Sequence, residues 1–308
     1  MIQQQKITVK IIVKKKMLKA EIRQRKEYLF KKTEEIKKNE IYLKKQKLKK
    51  LIEENKPIPN DLKGESDILL KEIQYEDSQT SLPQNILDNE YYTNSLNEPK
   101  ILVTTSRHPS QRLTQFLQEI RIIIPNSIRV NRGNIVLKDI IKACKQNDFS
   151  DLIILHENRG NPDGMIISHM PNGPSVYFGL FNVVLRHDID DDIEKVSQSF
   201  PHLIFNGFNS KLGERIIEIL KNLFPVPKKD GNRVLTFSNN DDFISFRHHN
   251  FEKKKKSNGE FDVNLEEIGP RFEMRPYQIL LGTVDQPDSN KEWVLRPFMR
   301  TAKNKKNL

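Results

Sequence analysis

PKILVTTSRHPSQRLTQFLQEIRIIIPNSIRV, residues 99–130, predicts a buried strand at Ile101–Val103, a polar turn and a helix. A proline stops the helix, and a second short strand follows at Ser127–Val130. The turn carries Ser106, Arg107, His108, Pro109 and Ser110, with Arg112 in the first helical turn. Backbone N–H groups at such a helix start and guanidinium groups beside it can face one phosphate together.

About one hundred residues later the pattern returns. Phe200–Phe208 is strand-like, and a helix over Asn209–Phe224 is capped by Asn209 or Ser210, carries Lys211 and Arg215 at its start and stops at Pro225. Pro99 and Pro201 open the two copies 102 residues apart, and Pro125 and Pro225 close the helices 100 residues apart. Gly173-Pro174-Ser175 finds its counterpart in Gly269-Pro270-Arg271, 96 residues on. Three landmarks in one order at near-equal offsets predict an internal duplication. The expected fold is α/β: two halves about a pseudo-twofold axis, with a groove lined by the equivalent turn of each half.

Between these landmarks the chain alternates strands and one helix. Val136–Lys145 is an amphipathic helix with Ile140, Ile141 and Cys144 inward, and Asp151–Leu155 is an apolar run typical of a strand covered on both faces. Strands are expected at Gly164–Met170, Ser175–Leu185, Arg233–Ser238, Phe243–His248 and Phe261–Leu265. Lys253–Lys256 reads as a basic loop, Phe272–Leu281 as an edge-tolerant strand interrupted by Pro276, and Trp293–Phe298 as a last extended segment before a basic tail.

Charge divides the 308 residues into three objects. Residues 1–56 hold 19 Lys+Arg against 7 Asp+Glu, residues 57–98 hold 2 against 9, and residues 99–308 hold 31 against 25, within a net charge of +11. A basic arm, an acidic linker and a mildly basic body point to polyanion binding through the arm, because solubility alone needs no such segregation. Met17 onward is helical, with no Gly or Pro until Pro57, and Ile22, Leu29, Ile36 and Leu43 recur every seven residues. The companion row, Leu18, Arg25, Lys32, Asn39 and Gln46, is mostly polar, so the row is too narrow for a two-stranded coiled coil. It suits a solvated helix, or one laid along RNA with its stripe against a protein neighbour. Residues 1–16 carry no clear pattern. Residues 57–98 read as linker, with a short helix or docking turn at Ile68–Ile73.

One cysteine, Cys144, excludes an intramolecular disulfide and favours an intracellular, soluble protein. No apolar run approaches the ~18 residues that span a bilayer. Ile7–Val13 is too short and too lysine-rich for a signal peptide.

Ile101-Leu102-Val103-Thr104-Thr105-Ser106-Arg107, Asn131-Arg132-Gly133, His156-Glu157-Asn158-Arg159-Gly160, Phe246-Arg247-His248-His249 and Gly269-Pro270-Arg271-Phe272-Glu273-Met274 together resemble the Brix-domain family of ribosome-biogenesis proteins. The resemblance covers roughly residues 17–308. Met17-Leu18, Arg25-Lys26-Glu27-Tyr28-Leu29 and Trp293 with Thr301-Ala302-Lys303 fit its small-subunit branch better than its large-subunit relatives. It implies a Brix domain at 99–285, with halves at about 99–186 and 199–285 similar to the anticodon-binding domains of class II aminoacyl-tRNA synthetases. The basic helical arm at 1–56 and acidic linker at 57–98 precede it, and an extended basic tail at 286–308 follows. It also implies noncatalytic RNA binding in the nucleolus within the small-subunit processome, no cofactor, and no membrane. The implied partners are the U-three snoRNA (U3 small nucleolar RNA), the pre-rRNA it pairs to, an acidic phosphoprotein scaffold and a small S-four-like protein. The implied task is to assist snoRNA–pre-rRNA pairing and early pre-rRNA processing toward small-subunit rRNA.

The candidate RNA contacts are Arg107, Arg112, Arg132, Arg159, Lys211, Arg215, Arg271 and Arg275, placed at the repeated helix starts or on turns and a strand facing the same groove. Arginine suits phosphate because its planar fork donates two bonds at once. The alternative role for each is an ion pair with a carboxylate such as Glu157 or Glu214. Phe208 and Tyr177 are candidates for base stacking or for core. A nuclease would need the cluster His187, Asp188, Asp190, Asp191, Asp192 and Glu194 to hold Mg²⁺, but these lie in a connector with no matched partner. His248 and His249 point to opposite faces of a strand. No P-loop, dinucleotide fingerprint, CxxC or HExxH is present, and Ser106 beside His108 lacks an oriented base. The competing function is a protein-interaction module that binds an acidic scaffold peptide and touches RNA only through the arm.

Overall fold

The computed structural model describes residues 2–54, 57, 59, 64–74, 90, 91, 97–189, 196–228, 231–255, 261–286 and 288–295. The chain forms two compact units, Met1–Asn97 and Glu98–Leu308.

In the first unit, α1 runs over Ile2–Glu53 and α2 over Ser66–Gln74. The patternless residues before Met17 thus continue the helix, since nothing in them breaks it and Lys, Gln, Ile and Val all tolerate helical geometry. At 1.5 Å per residue α1 is about 80 Å long. Leu48 is fully buried against Leu69 and Ile73 of α2, and Lys44 Nζ meets Glu65 Oε2 at 2.7 Å beside them. Ile68–Ile73 therefore does form a docked helix. The seven-residue row stays outside this contact: Ile22, Leu29, Ile36 and Leu43 are 48–56 % exposed.

The second unit is built in chain order from β1 (Ile101–Thr105), α3 (Gln111–Ile123), β2 (Ser127–Arg129), α4 (Leu137–Gln146), β3 (Asp151–Asn158), β4 (Asn161–His169) and β5 (Ser175–Val184). A 3-10 turn at Arg186–Asp188 leads to β6 (His202–Asn206), α5 (Lys211–Lys221), β7 (Arg233–Asn240), β8 (Phe243–Lys255), β9 (Phe261–Glu267), β10 (Arg271–Leu280) and β11 (Lys291–Val294). All eleven strands belong to one sheet in the order β2-β1-β3-β4-β5-β10-β8-β7-β6, with β11 on β10 and β9 on β8. From β1 to β5 the pairings run parallel, antiparallel, antiparallel. From β6 through β7 and β8 to β10 they run in the same order. The two series meet where β5 and β10 pair antiparallel, Leu280 opposite Ser175 and Arg271 opposite Val184.

Strand alternation sets the core. Leu102, Leu152, Ile154 and Ile166 face Ile140, Ile141 and Cys144 of α4. The opposite face takes α3, whose Phe116 meets the Phe272 ring edge-on at 5.7 Å, and Phe272 in turn stacks on Phe246 at 4.5 Å. Helix α3 itself follows from its text: a serine N-cap, inward Leu113, Phe116, Leu117, Ile120 and Ile123 at helical spacing, and Pro125 beyond the end.

A buried cation ties the end of α3 to the later strands. Arg233, 2 % exposed, donates to the Ile122 and Ile123 carbonyls at 3.2 and 3.1 Å, to the Ser197 and Ser199 carbonyls, and to His248 Nε2 at 3.1 Å. It thereby satisfies carbonyls that the helix end leaves open and places positive charge at the negative pole. His248 donates from Nδ1 to the Gly269 carbonyl, which leaves Nε2 as the acceptor for Arg233.

Two expectations are corrected. Lys253–Lys255 are not loop but the end of β8, because Lys253, Lys254 and Lys255 pair with Val263, Asp262 and Phe261 and lengthen the hairpin; Lys256 lies outside the described residues. The strand holding Pro276 is not at an edge but central. Its pairing with β8 ends at Met274, and its register with β5 shifts between Pro276 and Gln278, so the missing N–H breaks no continuous ladder. The stretch 286–308 contributes β11, and its residues from 296 on lie outside the described ones.

Candidate nucleic-acid interface

Strand β1 ends at Thr105, and the turn behind it passes through His108 at φ 53° into Ser110, the N-cap of α3. Ser110 Oγ accepts the Leu113 N–H at 3.2 Å. Its own backbone N–H donates to Glu157 Oε1 at 2.9 Å, and its hydroxyl donates to Glu157 Oε2. Glu157 comes from the end of β3. The positive end of α3, expected to face a phosphate, thus already holds a carboxylate of the protein.

Beside this cap Arg112 pairs with Asp188, but Arg107 and Arg132 meet no carboxylate among the described residues. Arg107 is exposed and has no hydrogen-bond or ion-pair partner among the described residues. Arg132 lies close enough to be perturbed by it: burial, then the Arg107 charge, pulls the Arg132 guanidinium below its ordinary range. Arg132 Nε is buried with no hydrogen-bond partner. His156 is held below the usual imidazole range by burial and then by the Arg132 charge. Arg129 is fixed by Asn131, whose Oδ1 accepts from Nε at 3.2 Å and from Nη2 at 3.0 Å. Arg129, Asn131 and Arg132 line a cavity of about 310 Å³ together with Pro109, Leu117 and Val130.

The other candidates divide by partner. Arg159 sits at φ 50° on the β3–β4 hairpin, exposed, and Lys211 is exposed at the start of α5; neither has a partner among the described residues. Arg112 reaches Asp188 Oδ2 at 3.4 Å with both side chains about half exposed. Arg215 is 13 % exposed and held by Glu292 at 3.1 Å and Glu218 at 3.3 Å. Arg271 pairs with Glu267 at 2.7 Å. Arg275 lies over the Phe243 ring at 5.1 Å, with Nη2 buried and unbonded. The carboxylates that compete for these cations are Asp188, Glu218, Glu267 and Glu292, not Glu214.

The expected groove shared by the two turns does not form. Strands β1 and β6 stand seven positions apart in the sheet, and the pairing senses between them make them antiparallel. At about 4.8 Å per strand the turns that follow them are roughly 30 Å apart and at opposite ends of the strands. Arg107, Arg132 and Arg159 gather at one end of the first half. Lys211 and Arg215 belong to the far flank, and Arg271 and Arg275 to the sheet face of β10. Phe208 is half-buried against Phe205, with ring centroids 6.0 Å apart, and Tyr177 lies 5.8 Å from Tyr277 while packing on the α4 core.

Arg129 and Asn131 line the candidate site but are not among the expected contacts, although Asn131 stands in the Asn131-Arg132-Gly133 motif. The signal was present: with Arg132 they put two cations and an amide within four positions of a strand end. Of the nuclease cluster, Asp188 pairs with Arg112, and residues 190–195 lie outside the described ones. Among the described residues no group of three or more His, Cys, Asp or Glu could hold a metal, and no helix is long and apolar enough to cross a membrane.

The model of the Brix domain matches residues 106–278. The U3 small nucleolar ribonucleoprotein protein IMP4 of Homo sapiens is 43 % identical over 290 residues, covering 94 % of this chain and 98 % of its own. The protein of the same name from Schizosaccharomyces pombe is 46 % identical over 287 residues, covering 92 % and 97 %. Among solved structures, a probable ribosomal biogenesis protein from Aeropyrum pernix K1 aligns with 57 % of this chain and 96 % of its own, at 18 % identity and a TM-score of 0.44.

Proposed function

The chain belongs to the Brix-domain family, and from that premise we propose that it is a noncatalytic RNA-binding factor of ribosome biogenesis, a component of the U3 small nucleolar ribonucleoprotein within the small-subunit processome. Its task is to assist pairing of the U3 RNA with pre-rRNA and so the early cleavages toward small-subunit rRNA, in the nucleolus. Its protein partners are an acidic phosphoprotein scaffold and a small S-four-like protein. The body is taken as two halves, about 99–186 and 199–285, similar to anticodon-binding domains and related by a pseudo-twofold axis between β5 and β10. The matching order of pairing senses supports that relation.

The observation that carries the RNA reading is the Arg107–Arg132 pair, two cations close enough to repel and with no carboxylate on either among the described residues. A polyanion relieves that repulsion, and the arm's excess of 19 Lys+Arg over 7 Asp+Glu adds a second attachment. A second reading keeps RNA on the arm alone and gives the body to an acidic scaffold peptide, whose carboxylates would answer the same two arginines.

Crosslinking in cells, followed by sequencing of the RNA attached to this protein, tests the assignment. U3 and pre-ribosomal RNA are the expected species. Recovery of messenger RNA only would overturn it.

A further inference from the structure

The cavity beside the α3 cap is more specific than a basic patch. Its volume, about 310 Å³, is at the low end of the roughly 300–1,000 Å³ of small-molecule sites. A duplex cannot enter it. Its lining combines apolar Pro109, Leu117 and Val130 with cationic Arg129 and Arg132. Arg132 keeps a buried Nε with no partner, a donor whose desolvation nothing in the described protein offsets. Glu157, the carboxylate at the adjoining cap, is committed to Ser110 and leaves the arginines unneutralised. Asn131 accepts from Arg129 through Oδ1, and its amide NH₂ donates to no partner among the described residues. Apolar lining, guanidinium groups and one amide donor pair are the three elements that recognise a base, a phosphate and a base edge.

We propose that this cavity holds one unstacked nucleotide of single-stranded RNA, with its phosphate on Arg132 and Arg107, its base over Pro109 and Val130, and a base carbonyl on the Asn131 amide. The inference rests on the RNA-binding reading above and narrows it to one pocket. Arg129 acts here as a positioning residue, fixing which way the Asn131 amide points.

The test uses the full chain and fluorescence anisotropy with a labelled uridine oligonucleotide of about ten nucleotides. Arg132→Gln should weaken binding about tenfold and lower the salt slope by about 0.7, the share of one phosphate contact on a single strand. Asn131→Ala should weaken binding with the salt slope unchanged, since it removes no charge. Its side chain is exposed, so it keeps the test sharp if Arg132→Gln lowers the melting temperature. RNA binding by the wild-type chain that both variants retain in full overturns the nucleotide pocket and leaves the RNA reading standing. Absence of RNA binding by the wild-type chain overturns both. Loss of binding by Arg132→Gln to a polyglutamate peptide, with RNA affinity intact, overturns the proposal in favour of an acidic protein partner.

Discussion

Glu157 accepts the Ser110 backbone N–H at 2.9 Å, so the end of β3 supplies the anion at the head of α3. The same serine caps the helix through its hydroxyl, which accepts from Leu113. Ser110→Ala removes the cap and strands part of the glutamate's bonding. Urea unfolding should show a loss of about 1 kcal/mol, with RNA affinity in the folded protein nearly unchanged, because the Glu157 carboxylate already occupies the helix end.

Arg233→Met should be far more costly. It leaves the Ile122, Ile123, Ser197 and Ser199 carbonyls and His248 Nε2 without their donor. A loss of roughly 3 kcal/mol or more is expected, read from urea or thermal unfolding.

His248 gives that network a pH dependence. Burial, then the Arg233 charge, depresses its pKa to about 3, so the folded protein holds it neutral while the unfolded chain titrates near the ordinary imidazole value of 6.5. The unfolded state therefore binds more protons between those two values. The contribution is fully present above about pH 6.5 and is lost progressively as pH falls toward 3. His248→Asn, which can still accept from Arg233, should flatten the acid limb of a stability–pH curve.

Gly173 has φ +105°, and a Cβ there would lie 2.8 Å from the Gly282 carbonyl carbon and from the Leu281 oxygen. Both obstacles are backbone. Gly173→Ala should lower the melting temperature clearly, whereas Gly133→Ala, which meets nothing within 4 Å, should carry only the strain of its φ of +50°.

Lys211 and Arg215 stand one helical turn apart yet separate by partner. Arg215→Gln breaks the contacts to Glu292 and Glu218, so it should lower stability and leave RNA binding little changed. Lys211→Gln should do the reverse, reducing the salt slope by about 0.7 if the α5 start meets a phosphate. Melting curves and salt titrations of the two variants distinguish them.

Much of the fold was legible because its signals are local. The N-cap Ser110, the inward row Leu113 to Ile123 and the stop at Pro125 specify α3 without outside help, and the Asp151–Leu155 run specifies a covered strand. The recurrence of strand, basic helix start and proline was also visible. What the sequence could not carry was the joining of β5 to β10 across 87 or more residues, and that joining decides where the repeated turns go. A shared groove was the natural expectation for two similar turns, but an antiparallel seam between the halves sends them to opposite ends.

The candidate site was legible in its residue types and not in their pairings. Arg107, Arg132 and Arg159 look no different in sequence from Arg215 and Arg271. Their separation depends on Glu292 arriving from β11 and on Glu267 arriving from the end of β9. Lys253–Lys255 misled for a related reason: a run of lysines has the composition of a loop, and only the pairing with Phe261–Val263 shows the ladder.

The central claim is that the body, and not the arm alone, touches RNA, at the Arg107–Arg132 end of the sheet. Ultraviolet crosslinking of the full-length protein to U3 and pre-rRNA, with the crosslinked peptides mapped to single residues, tests it most directly. Crosslinks within 105–133 alongside others in 1–56 are predicted. Crosslinks confined to residues 1–56, with the Arg107–Arg132 segment untouched, would contradict the account.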